Sequence, residues 1–199
     1  MRRFLAFSLC WLSMMIAQAN AAIPPDSTAK DKLIALLQNR DWHCLSCTHI
    51  YQTFRQSDSL ARLLSVKDKD ELFTNEDPSV RYYAFLNVLA TDEEKAFERL
   101  GKSLEDTAEI CFICCVIQEE KINEKIFSHF YTYLYLKYYK GVGGTTDARS
   151  YSFGKIARNK KLWKEKTNRL MLMAKNSPYY LQFLATKDRL DKYFKSWRH

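Results

Sequence analysis

Two groups of cysteines hold the residues best suited to chemistry. His43-Cys44-Leu45-Ser46-Cys47-Thr48-His49 places two thiols and two imidazoles within seven residues, and Cys111, Cys114 and Cys115 cluster further along the chain. Three chemistries suit this set. Thiolate and imidazole are preferred zinc ligands, so Cys44, Cys47 and His49 with Cys111 and Cys114 form a candidate metal site. The Cys44-x-x-Cys47 spacing also fits a redox pair, with a neighbouring imidazolium lowering the thiol pKa. The third is structural disulfide bonding among Cys44, Cys47, Cys111, Cys114 and Cys115, the usual fate of thiols in an oxidising compartment. One bridge between the two groups closes a loop of about 65 residues, worth roughly 4 kcal/mol in the chain-entropy model. Haem attachment is excluded, because Thr48 and not His follows Cys47. The expectation is structural, with bridged or buried cysteines; zinc or thiol redox chemistry is the alternative.

No H-E-x-x-H and no nucleophile elbow occurs, so the chain is read as leaning away from catalysis, with no cofactor expected. His129, beside Phe130, reads as a structural histidine. Gly141-Val142-Gly143-Gly144-Thr145-Thr146 is the only glycine cluster, and it lacks the Lys-Ser/Thr that completes a phosphate-binding loop. It reads as a loop.

The elements that must position these residues follow an address. Residues 1–21 carry Arg2 and Arg3, an apolar run from Phe4 to Ala17, and small residues at Ala17, Ala19 and Ala21, the three parts of a cleaved secretory signal in order. No later stretch is long and apolar enough to span a bilayer. The mature chain is therefore expected to be secreted or periplasmic. The whole sequence has 199 residues, 31 Lys+Arg against 23 Asp+Glu, a formal charge of +8 and 47% hydrophobic residues. That is enough chain for a sizeable core, and the 14% of aromatic residues argues against disorder.

Apolar residues recur at three and four, which predicts an all-α fold. Leu33, Leu36 and Leu37 share one face of a helix that Ser27 or Thr28 caps. Helical pieces follow over 57–64 and 67–73. Asp77-Pro78 starts a helix that is apolar nearly all round from Val80 to Ala90. Thr91 with Glu94 reads as a reciprocal cap, ahead of Ala96, Phe97, Leu100 and Leu104. Asp106 with Glu109 repeats that arrangement and predicts a helix over Ile110 to Ile117, which puts Cys111 and Cys114 on an apolar helical face. Ile122, Ile126, Phe127, Phe130 and Leu134 continue the pattern. Tyr131 to Leu136 also alternates at period two, but the incoming stripe favours helix. Further helices are expected over 160–175, 178–185 and 187–197.

Asp77-Pro78-Ser79-Val80-Arg81 followed by Ala84 and Leu89 resembles the second helix of a HEAT-like repeat, over about residues 66–118. The resemblance implies stacked helical hairpins, with Val80, Ala84 and Leu89 packed inward. It also implies that Arg81 bonds carbonyls or acids of the neighbouring unit, and that the surface serves for binding. The expected organisation is a signal peptide at 1–21, a helical HEAT-like domain at 22–140 and a Gly-containing loop at 141–152. A basic aromatic helical segment at 153–199 packs on the same domain.

Charge is distributed unevenly. Between Lys155 and His199 there are 13 Lys and Arg against Glu165, Asp188 and Asp191, a net +10. In a cytoplasmic protein this reads as a nucleic-acid footprint, which the predicted compartment excludes. Lys160, Lys161 and Lys164, with Trp163 among them, form a candidate binding surface for a protein or an anionic envelope component. The competing reading is a solvated face, neutralised in part by acids of the rest of the chain.

Overall fold

The computed structural model describes residues 28–38, 55–114, 116–141, 144–146, 149–151 and 158–196. The fold is all-α, with two short β-hairpins inserted between helices. Helix α1 (Ala29–Gln38) opens the described chain. Thr28 caps it: its Oγ1 accepts from the Asp31 N–H at 3.2 Å while the Asp31 carboxylate accepts the Thr28 N–H at 3.0 Å. A helical stretch at 55–61 is followed by α2 (Val66–Glu71) and a 3-10 turn (Leu72–Thr74).

Helix α3 (Pro78–Thr91) is the centre of the core. Pro78 at its first position needs no N–H partner, and the Asp77 carboxylate accepts from the Ser79 N–H at 2.7 Å. Val80, Ala84 and Leu89 are all buried, as are Tyr82, Tyr83, Phe85, Leu86 and Val88. The Arg81 guanidinium donates to the Asp106 carboxylate at 2.6 and 3.0 Å, and to the carbonyls of Asn75 at 2.7 Å and Glu76 at 2.8 Å. It thus ties the approach to α3 to the segment after the next helix.

A single extended residue, Asp92, separates α3 from α4 (Glu93–Ser103) and serves both as end-cap of one and N-cap of the other. The expected cap at Thr91 is corrected. Thr91 stays helical and its hydroxyl donates back to the Asn87 carbonyl at 2.9 Å, while the Asp92 carboxylate accepts the Lys95 N–H at 3.0 Å. Glu94 is turned to other partners described below.

The helix expected over Ile110 to Ile117 is also corrected. Strands β1 (Glu109–Cys114) and β2 (Val116–Lys121) form an antiparallel hairpin in register from Glu109↔Lys121 to Cys114↔Val116. Ile110, Ile113, Val116 and Ile117 are β-branched and suit strands. Asp106, which the sequence offered as a helix start, instead holds Arg81 and accepts the Ala108 N–H at 3.1 Å.

Helix α5 (Ile122–Leu134) lies across α3 and continues into a π-helical segment (Tyr135–Lys140) that ends at Gly141 with φ 66°. Tyr131 to Leu136 is thus helical. The next strands, β3 (Gly144–Thr146) and β4 (Arg149–Tyr151), make a small hairpin within the stretch expected to be loop. Helix α6 spans Lys160–Lys175 as expected. The two helices expected beyond it are one, α7 (Tyr180–Ser196), which runs through a buried Thr186.

Aromatic side chains join these layers. Phe130 of α5 meets Phe85 of α3 and Phe97 of α4 at ring-centroid distances of 6.0 and 4.6 Å. From an adjoining face of α5, Phe127 stacks on Phe183 at 5.0 Å and Tyr131 on Phe194 at 6.3 Å. His129 is buried, with its Nδ1 hydrogen-bonded to the Tyr82 hydroxyl. No helix among the described residues is long and apolar enough to cross a membrane.

Candidate binding surface and the charge cluster beneath it

Helices α6 and α7 form a hairpin whose bend is fixed to the end of α4, where the Ser177 hydroxyl donates to the Leu104 carbonyl at 3.4 Å. The start of α6 is fixed to the π-helical segment. The Asn159 N–H donates to the Tyr138 carbonyl at 2.8 Å, and Arg158 Nε donates to the Lys140 carbonyl at 3.0 Å. Asn159 also caps α6 by accepting the Leu162 N–H at 2.9 Å.

The basic residues of this hairpin divide into two sets. Those facing the body are paired. Glu93, at the first position of α4, retains only 9% side-chain exposure. It accepts from Lys137 Nζ at 2.8 Å, from the Tyr138 hydroxyl at 2.8 and 3.0 Å, and pairs with Lys166 Nζ at 3.1 Å. Lys166 also bonds Glu94, which pairs with the Arg169 guanidinium at 2.5 Å. The Arg169 guanidinium lies over the Phe97 ring, 4.1 Å from its centroid. On α7, Lys187 pairs with Asp191 at 2.7 Å, and Asp191 accepts from the buried Tyr131 hydroxyl at 2.6 Å.

These contacts set protonation. Burial pushes the Glu93 carboxyl up, but hydrogen bonds from Lys137, Tyr138 and Lys166 together outweigh it and hold the group below its ordinary 4.5. Hydrogen bonds from Lys166 and Arg169 bring Glu94 down to about 2. Burial and the adjacent Glu93 charge push the Tyr138 hydroxyl up, so it stays a donor. Lys166 is raised: burial alone lowers it, and its bonds to Glu94 and Glu93 more than reverse that.

The outward set is unpaired. On α6, Lys160, Lys161, Lys164 and Lys175 are exposed, and on α7 so are Arg189, Lys192 and Lys195. None of these seven has a carboxylate within 4.0 Å among the described residues. Glu165 and Asp188 are the exposed acids of the two helices, leaving five positive charges in excess. Lys160 lies 5.4 Å from the Tyr139 ring centroid. Trp163 is half-buried between this edge and the core, its ring 5.2 Å from that of Tyr139 and 6.4 Å from that of Tyr135. The structure therefore groups Lys160, Lys161 and Lys164 on one end of the hairpin and turns Trp163 toward the aromatic layer below.

Of the cysteine clusters, Cys44, Cys47 and Cys115 lie outside the described residues, as do His43 and His49. Cys111 and Cys114 are strand positions in β1, opposite Glu119 and Val116, which corrects the helical face expected for them.

The Glu93 cluster had no signal in the sequence. Glu94 reads in the sequence as the partner of Thr91 in a cap, whereas the actual partners of Glu93 and Glu94 are 44 to 75 residues away. Only chain topology brings them together. Comparison of the chain with protein-family models, with curated proteins and with solved structures finds no match.

Proposed function

We propose that this is an extracytoplasmic, non-catalytic binding or scaffold protein that works through its helical surfaces. The observation that carries the reading is the division of charge on the α6–α7 hairpin. Lys166 and Arg169, which face the body, are consumed by Glu93 and Glu94, whereas seven outward cations have no carboxylate in reach among the described residues and leave five positive charges in excess of the exposed acids. Desolvating like charges with no partner has a cost, and a surface built this way is suited to an anionic envelope component or an acidic protein. The HEAT-like part of the reading rests on the start of α3 alone, where Arg81 bonds the acid Asp106 and the carbonyls of Asn75 and Glu76; the β1–β2 hairpin stands where a following repeat would need a helix. The leader-like residues 1–21 support the compartment.

The test is capture from an envelope extract by the immobilised mature protein. Capture that weakens with salt, and is lost in the K160E/K161E/K164E variant, is the expected result. Salt-insensitive capture that the variant retains removes the basic face from the reading. Stoichiometric zinc, or a Cys44–Cys47 disulfide that cycles under a mild reductant, replaces it with metal or thiol chemistry.

A further inference from the structure

We infer that the outer face of the α6–α7 hairpin docks on the surface of an anionic phospholipid bilayer; this rests on the binding reading above and names its partner.

At about 100° per residue, Lys161, Lys164, Leu172 and Lys175 fall on the side of α6 opposite the buried Leu170. Leu181 and Lys192 likewise fall opposite the buried Phe183 of α7. Both helices pack on α5. Each lysine-bearing face therefore looks away from the core on which its helix packs. The ends carrying Lys161 and Lys164 on α6 and Lys192 on α7 meet at the Tyr135 ring, which lies 6.4 Å from that of Trp163 and 3.9 Å from that of Phe194. Leu172 and Leu181 flank the bend at the other end, with Lys175 between them in sequence.

The two leucines are not incidental surface residues. Leu172 is 64% exposed and Leu181 77%, among the most exposed large apolar side chains described. A face that combines uncompensated lysines with projecting leucines has the chemistry of a helix lying in a headgroup layer, where ammonium groups meet phosphates and apolar side chains reach the acyl boundary. An acidic protein is the weaker fit. Protein interfaces are depleted in Lys and enriched in Arg and aromatic anchors, whereas six of the seven outward cations here are Lys and the half-buried Trp163 is turned inward.

The experiment is co-sedimentation of the mature protein with vesicles of mixed phosphatidylglycerol and phosphatidylcholine, against phosphatidylcholine alone. Binding to the anionic vesicles only, weakened by salt, is expected. The K161E/K164E/K192E variant lowers the partition by at least on the order of 100-fold, because loss of each positive charge alone is a factor of about five and reversal adds repulsion. L172S/L181S, which keeps every charge, lowers it by on the order of 10-fold or more. All five positions are exposed, and circular dichroism of each variant confirms an unchanged fold; K161Q/K164Q/K192Q serves as the milder substitution. Equal binding to both vesicle types, or undiminished binding by the charge-reversed variant, overturns the inference. So does full binding by L172S/L181S, which leaves a diffuse attraction without insertion. If vesicles fail while salt-sensitive capture from the extract persists, the lipid inference falls and the binding reading stands.

Discussion

Glu93→Gln removes one negative charge from beneath the α6–α7 hairpin and keeps the size of the side chain. The carboxylate is 9% exposed and holds two ammonium groups and a phenol. Breaking a buried pair by neutralising one member costs roughly 3–5 kcal/mol when the other is left dry. Lys137 and Lys166 keep 20% and 15% of their side-chain exposure, so each recovers some hydration. We therefore expect a loss of about 2–3 kcal/mol at neutral pH. For a chain of this size that moves the urea midpoint down by about 1 M. The pH dependence fixes the cause. The folded pKa of Glu93 lies below 4.5, so the folded state binds its proton less tightly than the unfolded chain does. Its stabilisation is full above 4.5 and disappears as pH falls through the folded value. The gap between wild type and Glu93→Gln, followed by urea unfolding with circular dichroism, should narrow steadily in acid. A midpoint unchanged at neutral pH, or a gap of constant size down to strong acid, refutes the assignment of Glu93 as the charged hub.

Other expectations are simpler to check. Arg81→Ala leaves the Asp106 carboxylate and two carbonyls without their donor and costs about 2–3 kcal/mol by urea unfolding. Arg81→Lys recovers little of it, because an ammonium cannot supply the paired guanidinium donors. Phe130→Ala opens the junction of α3, α4 and α5 and costs about 3–5 kcal/mol, read as a fall in melting temperature. Tyr131→Phe removes only the hydroxyl that donates to Asp191, which retains Lys187, and costs about 1 kcal/mol.

The parts legible in the sequence are those set by local rules. The Thr28–Asp31 cap, the Pro78 start of α3 and the span of α6 follow from neighbours a few residues apart. The Arg81 contact was legible as a role, through the family resemblance, though its acid partner is 25 residues distant. Failures arose where a distant group claimed a local signal. Asp106 has the right type and spacing to start a helix, but the Arg81 guanidinium occupies its carboxylate and the following residues form a hairpin. Glu94 has the right spacing to complete a cap with Thr91, but Lys166 and Arg169 draw it outward, and Asp92 caps α4 instead. The basic face was legible as composition; which lysines are spent internally was not, because that depends on which side of α6 meets Glu93.

The π-helical turn at Tyr135–Lys140 bears on which changes of length the protein tolerates. A π turn holds more residues than an α turn in the same axial distance. Here it allows two consecutive residues, Lys137 and Tyr138, to reach one carboxylate. Deleting one residue from this stretch lets it close to ordinary α-helix, and because a π turn absorbs one extra residue, what lies beyond keeps nearly the same rotational phase. The local contacts are what change: Lys137 and Tyr138 no longer both fall at the Glu93 carboxylate. The extra residue of the π turn thus serves the charge cluster, and its removal loosens Glu93 while leaving the C-terminal hairpin pointing where it did.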